Sequence, residues 1–523
     1  MQHKKISLAD TKAFSTFFLD YIKQKEILKK FYHRFPLPEN FKDQIAEKSK
    51  SFSAQHREIL VSTLKKQYQH LNLLDAVANN ISLLNDSKTF TVTTGHQLNI
   101  FTGPLYFIFK LVTVINACKR LKDLYPGFNF VPVYWMASED HDYDEIKYFH
   151  LYGKKYVWDT SQTGAVGRFS TQGFEKLLKE IPGDITIFKE AYLKNKTLAG
   201  AVRYYVNALF GNEGLIVLDA DDHNLKKLFR PVIEDDIFKN TTVGLVNKTN
   251  QDLADLGYKT QVFCRDINFF YLDDGIRGRI EKRDDRYLVL DTQLSFSEAE
   301  LRKMIDGTPE KFSPNVILRP LYQEWILPNL AYVGGPAENI YWLQLKNVFD
   351  HFGVPFPMLM PRNFGVVVDH TIQRKIEKTG LDLTQFFEEK NYLYNHWMLK
   401  NSKKDLTVGA ERTTIREIYN QLKQRAESID KTLGPFTGAE GTRVMNGLEK
   451  IERKIMRAEK RLHADKLRQI DAVKDALFPN GILQERVDNF LNFYQQDKKF
   501  IARLITLLDP FNYQFNVLTY TGA

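Results

Sequence analysis

From Phe90 onward the chain alternates short β-type runs with helix-period segments, and this alternation limits the possible folds more than any other feature. The β-type runs are Phe90–Thr94, Phe130–Trp135, Leu215–Leu218, Ala331–Val333 and Phe356–Met360. Helical patterns lie beside them at 104–122, 197–210, 223–239 and 337–350. Strands separated by helices favour parallel pairing over hairpins, so the pattern predicts an α/β protein with a doubly wound parallel sheet covered by helices on both faces. Sheets of this kind bind ligands where neighbouring strands end.

Polar residues gather at those ends. After the first run comes Thr94–Tyr106, in which Gly95 and Gly103 permit close backbone approach or positive φ and Pro104 suits the first turn of a helix. Thr102 is a candidate cap for that helix, whose free N–H groups would attract a phosphate or carboxylate. His96 and Gln97 add neutral hydrogen-bonding groups; an ordinary strand-to-helix turn with a structural His96 is the plainer alternative. After the second run come Glu139, Asp140, His141, Asp142, Asp144 and Glu145. Five carboxylates within seven residues repel one another unless a cation, an ammonium group or arginines compensate. Three readings stay open: an amino or sugar substrate, Mg²⁺ near a nucleotide, or acid–base work by His141 with a carboxylate such as Asp142.

A third strand end, Gly334-Gly335-Pro336, opens a helix and offers a second anion-ready N-terminus, with Glu338 in its first turn. Arg319, just upstream, either grips a carboxylate or phosphate or neutralises the 139–145 acids. Asp219 and Asp221 follow the Leu215–Leu218 run, Asp221 reading best as a helix cap. The chain has no GxxxxGK[ST] loop, no strand-linked GxGxxG and no GxSxG elbow, so Walker, dinucleotide-dehydrogenase and serine-hydrolase readings lack support.

At 523 residues, two or three domains are expected. The expected organisation is a helical lead-in over 1–88 and a core over 89–400. The core carries inserted subdomains near 147–196 and 260–312, the latter including a β-meander that turns at Asp273-Asp274-Gly275. An antiparallel coiled-coil arm spans 401–475, and 476–523 packs back on the core. In the arm, Ile415, Ile418, Leu422 and Ile429 form one heptad-like stripe and Leu448, Ile451, Ile455, Ala458 and Leu462 another, with Gly434–Gly438 expected as the turn between them. A projecting arm would expose its seam to a second copy. Cys118 and Cys264 are too few for a disulfide framework or zinc site, and the net charge of +9 is interleaved with acids rather than arranged as a nucleic-acid stripe. No signal peptide or membrane-length apolar run is present, so a soluble protein of a reducing compartment, binding neither nucleic acid nor membrane, is expected.

Taken together, Thr94–Gln97, Thr102–Tyr106, Pro132–Trp135, Glu139–Glu145, Asn315–Pro320, Tyr332–Glu338 and Gln484–Val487 resemble the bacillithiol-synthesis cysteine-adding enzymes, the BshC family. The matches run in order from about residue 90 to 490. The resemblance implies a cytoplasmic bacterial ligase that joins cysteine to glucosaminyl-malate, a Rossmann-like core with connecting subdomains, and a coiled-coil arm used for homodimerisation. The core is distantly similar to class I aminoacyl-tRNA synthetases, although Thr94–Gln97 keeps only part of their HxGH pattern and no clear KMSKS loop is present. By that logic ATP, with or without Mg²⁺, is the expected co-substrate and zinc is not expected. His96, His141 and Asp142 are the candidate catalytic groups. Thr94, Gly95, Gln97, Thr102, Gly103, Tyr106, Glu139, Asp140, Asp144, Arg319, Gly334, Gly335 and Glu338 are the candidate substrate contacts. Backbone N–H groups near Gly103 and Gly334–Gly335 would hold phosphate or malate, and the acids would hold the amine, the sugar hydroxyls or the cysteine ammonium. The alternatives are a catalytically degenerate scaffold, or a ligase or nucleotidyltransferase for another amino-sugar acceptor.

Overall fold

All five β-type runs form strands of one parallel sheet in the computed structural model, which describes residues 1–520. Residues 521–523, at the end of the segment expected to pack back on the core, lie outside the described residues. The spatial order is Met358–Pro361, Asn329–Gly334, Thr89–His96, Asn129–Met136 and Ile216–Asp219. From Thr89–His96 the chain steps outward twice in one direction. It then returns to place Asn329–Gly334 on the other flank. The switch point therefore lies between His96 and Gly334, where a doubly wound sheet opens its crevice. Register brings the polar ends level, with His96 beside Met136 and Met136 beside Asp219. Thr89–His96 is buried along its whole length, as a central parallel strand covered on both faces should be.

The helix after the first strand spans Tyr106–Leu124 and starts two residues later than the sequence suggests. Phe101, Thr102 and Gly103 all take positive φ, at 52°, 71° and 61°, so the chain turns sharply before the helix begins. The Asn489 amide fixes this turn by donating to the Phe101 and Gly103 carbonyls at 2.7 and 2.6 Å. A Cβ on Gly103 would stand 2.6 Å from that of Asn99, so glycine is required there on two counts.

An antiparallel five-stranded sheet is inserted over 269–314, and its first hairpin turns through Asp274-Gly275. The expected helix over 223–239 is two, His223–Leu228 and Arg230–Lys239, and the one over 337–350 is likewise broken, around a 3-10 turn at Leu343–Leu345. The N-terminal lead-in is not wholly helical. Gln2–Ile6 is a strand that pairs antiparallel with Phe515–Thr519, which also pairs with Phe364–Val368. Pairing across almost the entire chain leaves no local signature.

The arm is a helical hairpin of Gly409–Ile429 and Leu433–Leu462. Its turn is Asp430–Thr432, not Gly434–Gly438. The Asp430 carboxylate accepts from both the backbone N–H and the hydroxyl of Thr432 at 2.8 Å, which starts the second helix early. Pro435 fits in that helix's first turn because an N–H there has no intrahelical acceptor to lose. Among the described residues no helix is long and apolar enough to cross a membrane.

The return of the chain to the core is anchored by Glu485. It accepts from Arg362 at 2.7 and 3.1 Å and from Gly365 N–H at 2.8 Å, with Arg362 and Glu485 both almost fully buried. Removing one member of a buried pair leaves the other charge uncompensated, at a cost of about 3–5 kcal/mol. Glu485→Ala should therefore lower the melting temperature followed by circular dichroism by many degrees. An unchanged transition would show that the anchor contributes little.

Candidate functional site

A cavity of about 690 Å³ opens at the switch point. Gly95, His96, Gln97, Tyr106, Glu139, Asp140, Arg319, Gly335 and Glu338, nine of the sequence candidates, line it. A Cβ on Gly95 would meet the Tyr332 hydroxyl at 3.2 Å and an Arg319 nitrogen at 3.4 Å, so the bare glycine lets both reach the strand end.

The floor is organised by Lys110. It sits in an apolar helix and reaches back to the Gly95 carbonyl at 2.8 Å and the Glu338 carboxylate at 2.6 Å. Glu338 also accepts from Tyr332 OH and from Gly335 N–H, each at 2.7 Å. Burial alone would raise the Glu338 carboxyl, but Lys110 and these donors hold it down at about 2. Burial lowers Lys110, against the pull of Glu338.

His96 lies against Phe107, with ring centroids 4.8 Å apart, and edge-on to Tyr106. Burial, helped by the nearby Lys110 charge, pushes its imidazole down to about 3. Its Nε2 is buried without a partner among the described residues, as is Nε of Arg362, another cavity-lining group. At neutral pH His96 is an uncharged hydrogen-bonding group and a weak base.

The acidic run does not stay together. Glu139 pairs with the fully buried Lys226, and burial, opposed by that ammonium, lifts its carboxyl to about 7. Asp140 accepts from Gln97 at 2.9 Å and from the His141 backbone at 2.8 Å. Burial would raise Asp140, but the hydrogen bonds from Gln97 and the His141 backbone and the nearby Arg277 charge hold it well below the usual carboxylate range. Asp144 pairs with Lys147 on the surface, Glu145 accepts from Gln97, and Asp142 is exposed. Glu139 and Asp144 are neutralised by separate lysines, Asp140 and Glu145 share the Gln97 amide, and Asp142 faces solvent, so no one cation gathers the five. Among the described residues no group of three or more His, Cys, Asp or Glu side chains is gathered as a metal-ligand set.

Seven candidates lie off the cavity wall: Thr94, Thr102, Gly103, His141, Asp142, Asp144 and Gly334. The Thr94 hydroxyl is spent on the Val333 carbonyl at 2.7 Å. Thr102 does not cap the helix; its hydroxyl is buried without a partner. Neither expected backbone cradle is free. Gly103 N–H donates to Ile100 O, and Gly335 N–H is taken by Glu338. His141 stands behind the wall and accepts at Nδ1 from Arg277 at 2.6 Å.

Anion recognition falls instead to side chains. Arg319 is enclosed by the rings of Trp135, Tyr332 and Trp342, with its guanidinium 5.5–6.0 Å from their centroids. Its hydrogen bonds are to Gln323 and Tyr341, at 3.2 and 3.4 Å. It has no carboxylate at ion-pair distance among the described residues. Lys110, Arg277, Arg362 and Arg486 also line the cavity and escaped the sequence reading. Two of them carried a signal: Lys110 as a lone charge in the apolar run Tyr106–Val114, and Arg486 as part of the segment Gln484–Val487.

A family model described as "Bacillithiol biosynthesis BshC, N-terminal Rossmann-like domain" matches residues 1–363, and one for the "C-terminal coiled-coil domain" matches 365–520. The chain belongs to the BshC family. Curated BshC relatives share its full length. Those of Flavobacterium johnsoniae and Cytophaga hutchinsonii are each 40% identical, covering 98% and 99% of this chain and 99% of their own. One from Bacillus anthracis is 28% identical, covering 91% of this chain and 93% of its own. All three bear the name "Putative cysteine ligase BshC". The cavity of this BshC member is therefore built by both family domains, with Arg486 supplied from the C-terminal one.

The depressed His96 gives a direct expectation. Its neutral form contributes stability at and above about pH 6.5, its unfolded value, and that contribution fades as acidification approaches pH 3. In histidine-labelled protein, the His96 ring nitrogens should keep a neutral-imidazole signature down to about pH 5. An imidazolium signature above that pH would show that the ring is not desolvated.

Proposed function

We propose that this chain catalyses the ATP-linked joining of cysteine to glucosaminyl-malate, forming the amide of bacillithiol. One observation supports this reading most: Arg319, a half-buried guanidinium without an acid partner, lines a cavity large enough for a sugar acid. A dicarboxylate such as malate would supply the missing charge, bidentately. Arg486 lines the same cavity and serves the second carboxylate.

The reaction joins the glucosamine nitrogen to the carboxyl carbon of cysteine. One carboxyl oxygen must depart, and a phosphoryl or adenylyl group from ATP makes it a leaving group. Asp140, held ionised, binds the sugar hydroxyls or an ammonium group. Glu139 accepts the proton lost by the attacking amine, because its carboxyl sits near the working pH whereas His96 does not. His96 orients the substrate as a neutral donor or acceptor, and His141 braces Arg277. This reading carries a cytoplasmic location with it, where ATP and free cysteine are supplied.

Purified protein given cysteine, glucosaminyl-malate and MgATP should yield bacillithiol by mass spectrometry; no product would leave the scaffold reading in its place. The rate should rise with pH through about 7 as Glu139 ionises. Glu139→Gln should remove that step and lower the rate by roughly 10²–10⁴-fold. A folded variant with an unchanged pH profile would eliminate Glu139 as the base.

We also propose that the arm pairs two copies. Its first helix, Gly409–Ile429, has no buried residue, and Ile418, Leu422 and Ile451 stay 47%, 41% and 52% exposed in the single chain. Light scattering should give a dimer at micromolar concentration and a monomer once residues 409–462 are replaced by a short linker. A dimer that survives that deletion would place the contact elsewhere.

A further inference from the structure

The cavity carries more positive charge than a sugar dicarboxylate uses. Among the described residues, Arg265, Arg277, Arg279, Arg319 and Arg486 all line it with no carboxylate at ion-pair distance. On the reading above, which this inference rests on, the two malate carboxylates occupy Arg319 and Arg486. Three guanidinium groups are left over, and they come from one structural unit.

That unit is the inserted antiparallel sheet and the loop leading into it. Arg277 and Arg279 are two apart on the strand Ile276–Arg283, so both side chains leave the same face. Arg279 stands opposite Phe270 on the neighbouring strand, and the Arg277 guanidinium lies 3.9 Å over the Phe270 ring. In the loop, burial alternates: Val262 and Cys264 turn partly inward, while Phe263 and Arg265 are exposed. The loop backbone is held on both sides of Phe263. The Gln344 side chain accepts from the N–H groups of Gln261 and Val262 at 2.9 and 3.2 Å, and Asn268 accepts from that of Arg265 at 3.2 Å. Phe263 is thus presented on a fixed backbone at the cavity wall with 77% of its surface exposed.

Three guanidinium groups on one wall repel each other and sum their fields, which favours a ligand with several adjacent negative charges. Arginine forks match phosphate oxygens bidentately, and a bare aromatic ring offers a stacking face for a planar base. We propose that Arg265, Arg277 and Arg279, with Phe263, form a second anion subsite that takes the polyphosphate chain of a nucleoside triphosphate, its base against Phe263. The two anionic substrates are then held by different parts of the fold: the dicarboxylate by Arg319, at the start of the helix before the fourth strand, and Arg486, in the returning C-terminal segment, the polyphosphate by the insert.

The test is calorimetric binding of ATP, inorganic triphosphate and malate to the full-length protein. The Arg265 and Arg279 side chains make no hydrogen bond in the fold among the described residues, so Arg265→Ala/Arg279→Ala removes charge without removing an internal contact. This variant should weaken ATP and triphosphate by about tenfold or more and leave malate unchanged. Phe263→Ala should weaken ATP but not triphosphate, and Arg319→Ala should weaken malate but not ATP. The proposal is overturned if the double variant binds ATP as the wild type does, if the wild type binds neither ATP nor triphosphate, or if the double variant loses malate instead. Intact, arginine-dependent ATP binding without any bacillithiol product would sink only the ligation reading.

Discussion

The ion pair between Lys110 and Glu338 is the interaction on which the site depends. It spans the switch point, where two neighbouring parallel strands run from opposite halves of the chain and no covalent link holds their ends in line. Lys110 arrives from the first crossover helix and Glu338 from the helix after the fourth strand, and the Gly95 carbonyl completes the junction. A charge in that apolar helix is costly unless it is paired and hydrogen-bonded. The pairing fixes much else. With Glu338 committed to Lys110, Tyr332 and Gly335, the third strand end cannot act as an anion cradle, and the lysine's charge helps keep His96 neutral.

Electrostatics therefore sort the polar residues into two groups. Side chains that pair with each other make the framework: Lys110 with Glu338, Arg362 with Glu485, Lys226 with Glu139. Those left without an opposite charge face the cavity and define what it can accept. Glu139 belongs partly to both groups, since it is paired yet lifted by burial into the neutral range. A dense acidic run next to a strand end left an amine or sugar site, a Mg²⁺ site and acid–base work by His141 all open. In the fold it supplies one ionised acid, one acid poised near neutrality and three residues outside the cavity.

The sheet was legible because its signal is collective: five apolar runs, each ending in polar or glycine residues, leave few alternatives to a parallel arrangement. Placing the site at the strand ends followed from the same logic, since position along a strand can be counted. The roles of individual groups were less legible because they depend on which hydrogen bonds are already made. Thr102 reads as a cap until three consecutive positive φ values turn it away from the helix, and Gly335 reads as a donor until Glu338 closes on it. Gly434 and Pro435 read as a turn, yet three preceding residues do that work through one aspartate. Arg277 and Arg362 were invisible for another reason: an arginine on a meander or after an edge strand is ordinary until the fold brings it to a crevice.

The return of the chain through residues 484–489 makes the two family domains interdependent. Glu485 neutralises Arg362, Asn489 clamps the strained turn that precedes the first crossover helix, and Asp488 O accepts from Leu105 N–H at 2.7 Å. Two positive-φ residues other than glycine cost about 1–3 kcal/mol each, and such a turn persists only when surrounding contacts hold it. Here those contacts come from sequence some 390 residues away, beyond the arm. Between them sits Arg486, at the cavity wall. The segment that seals the core thus also charges the site, and the Rossmann-like region lacks part of its own binding wall until the chain has passed through the arm and returned.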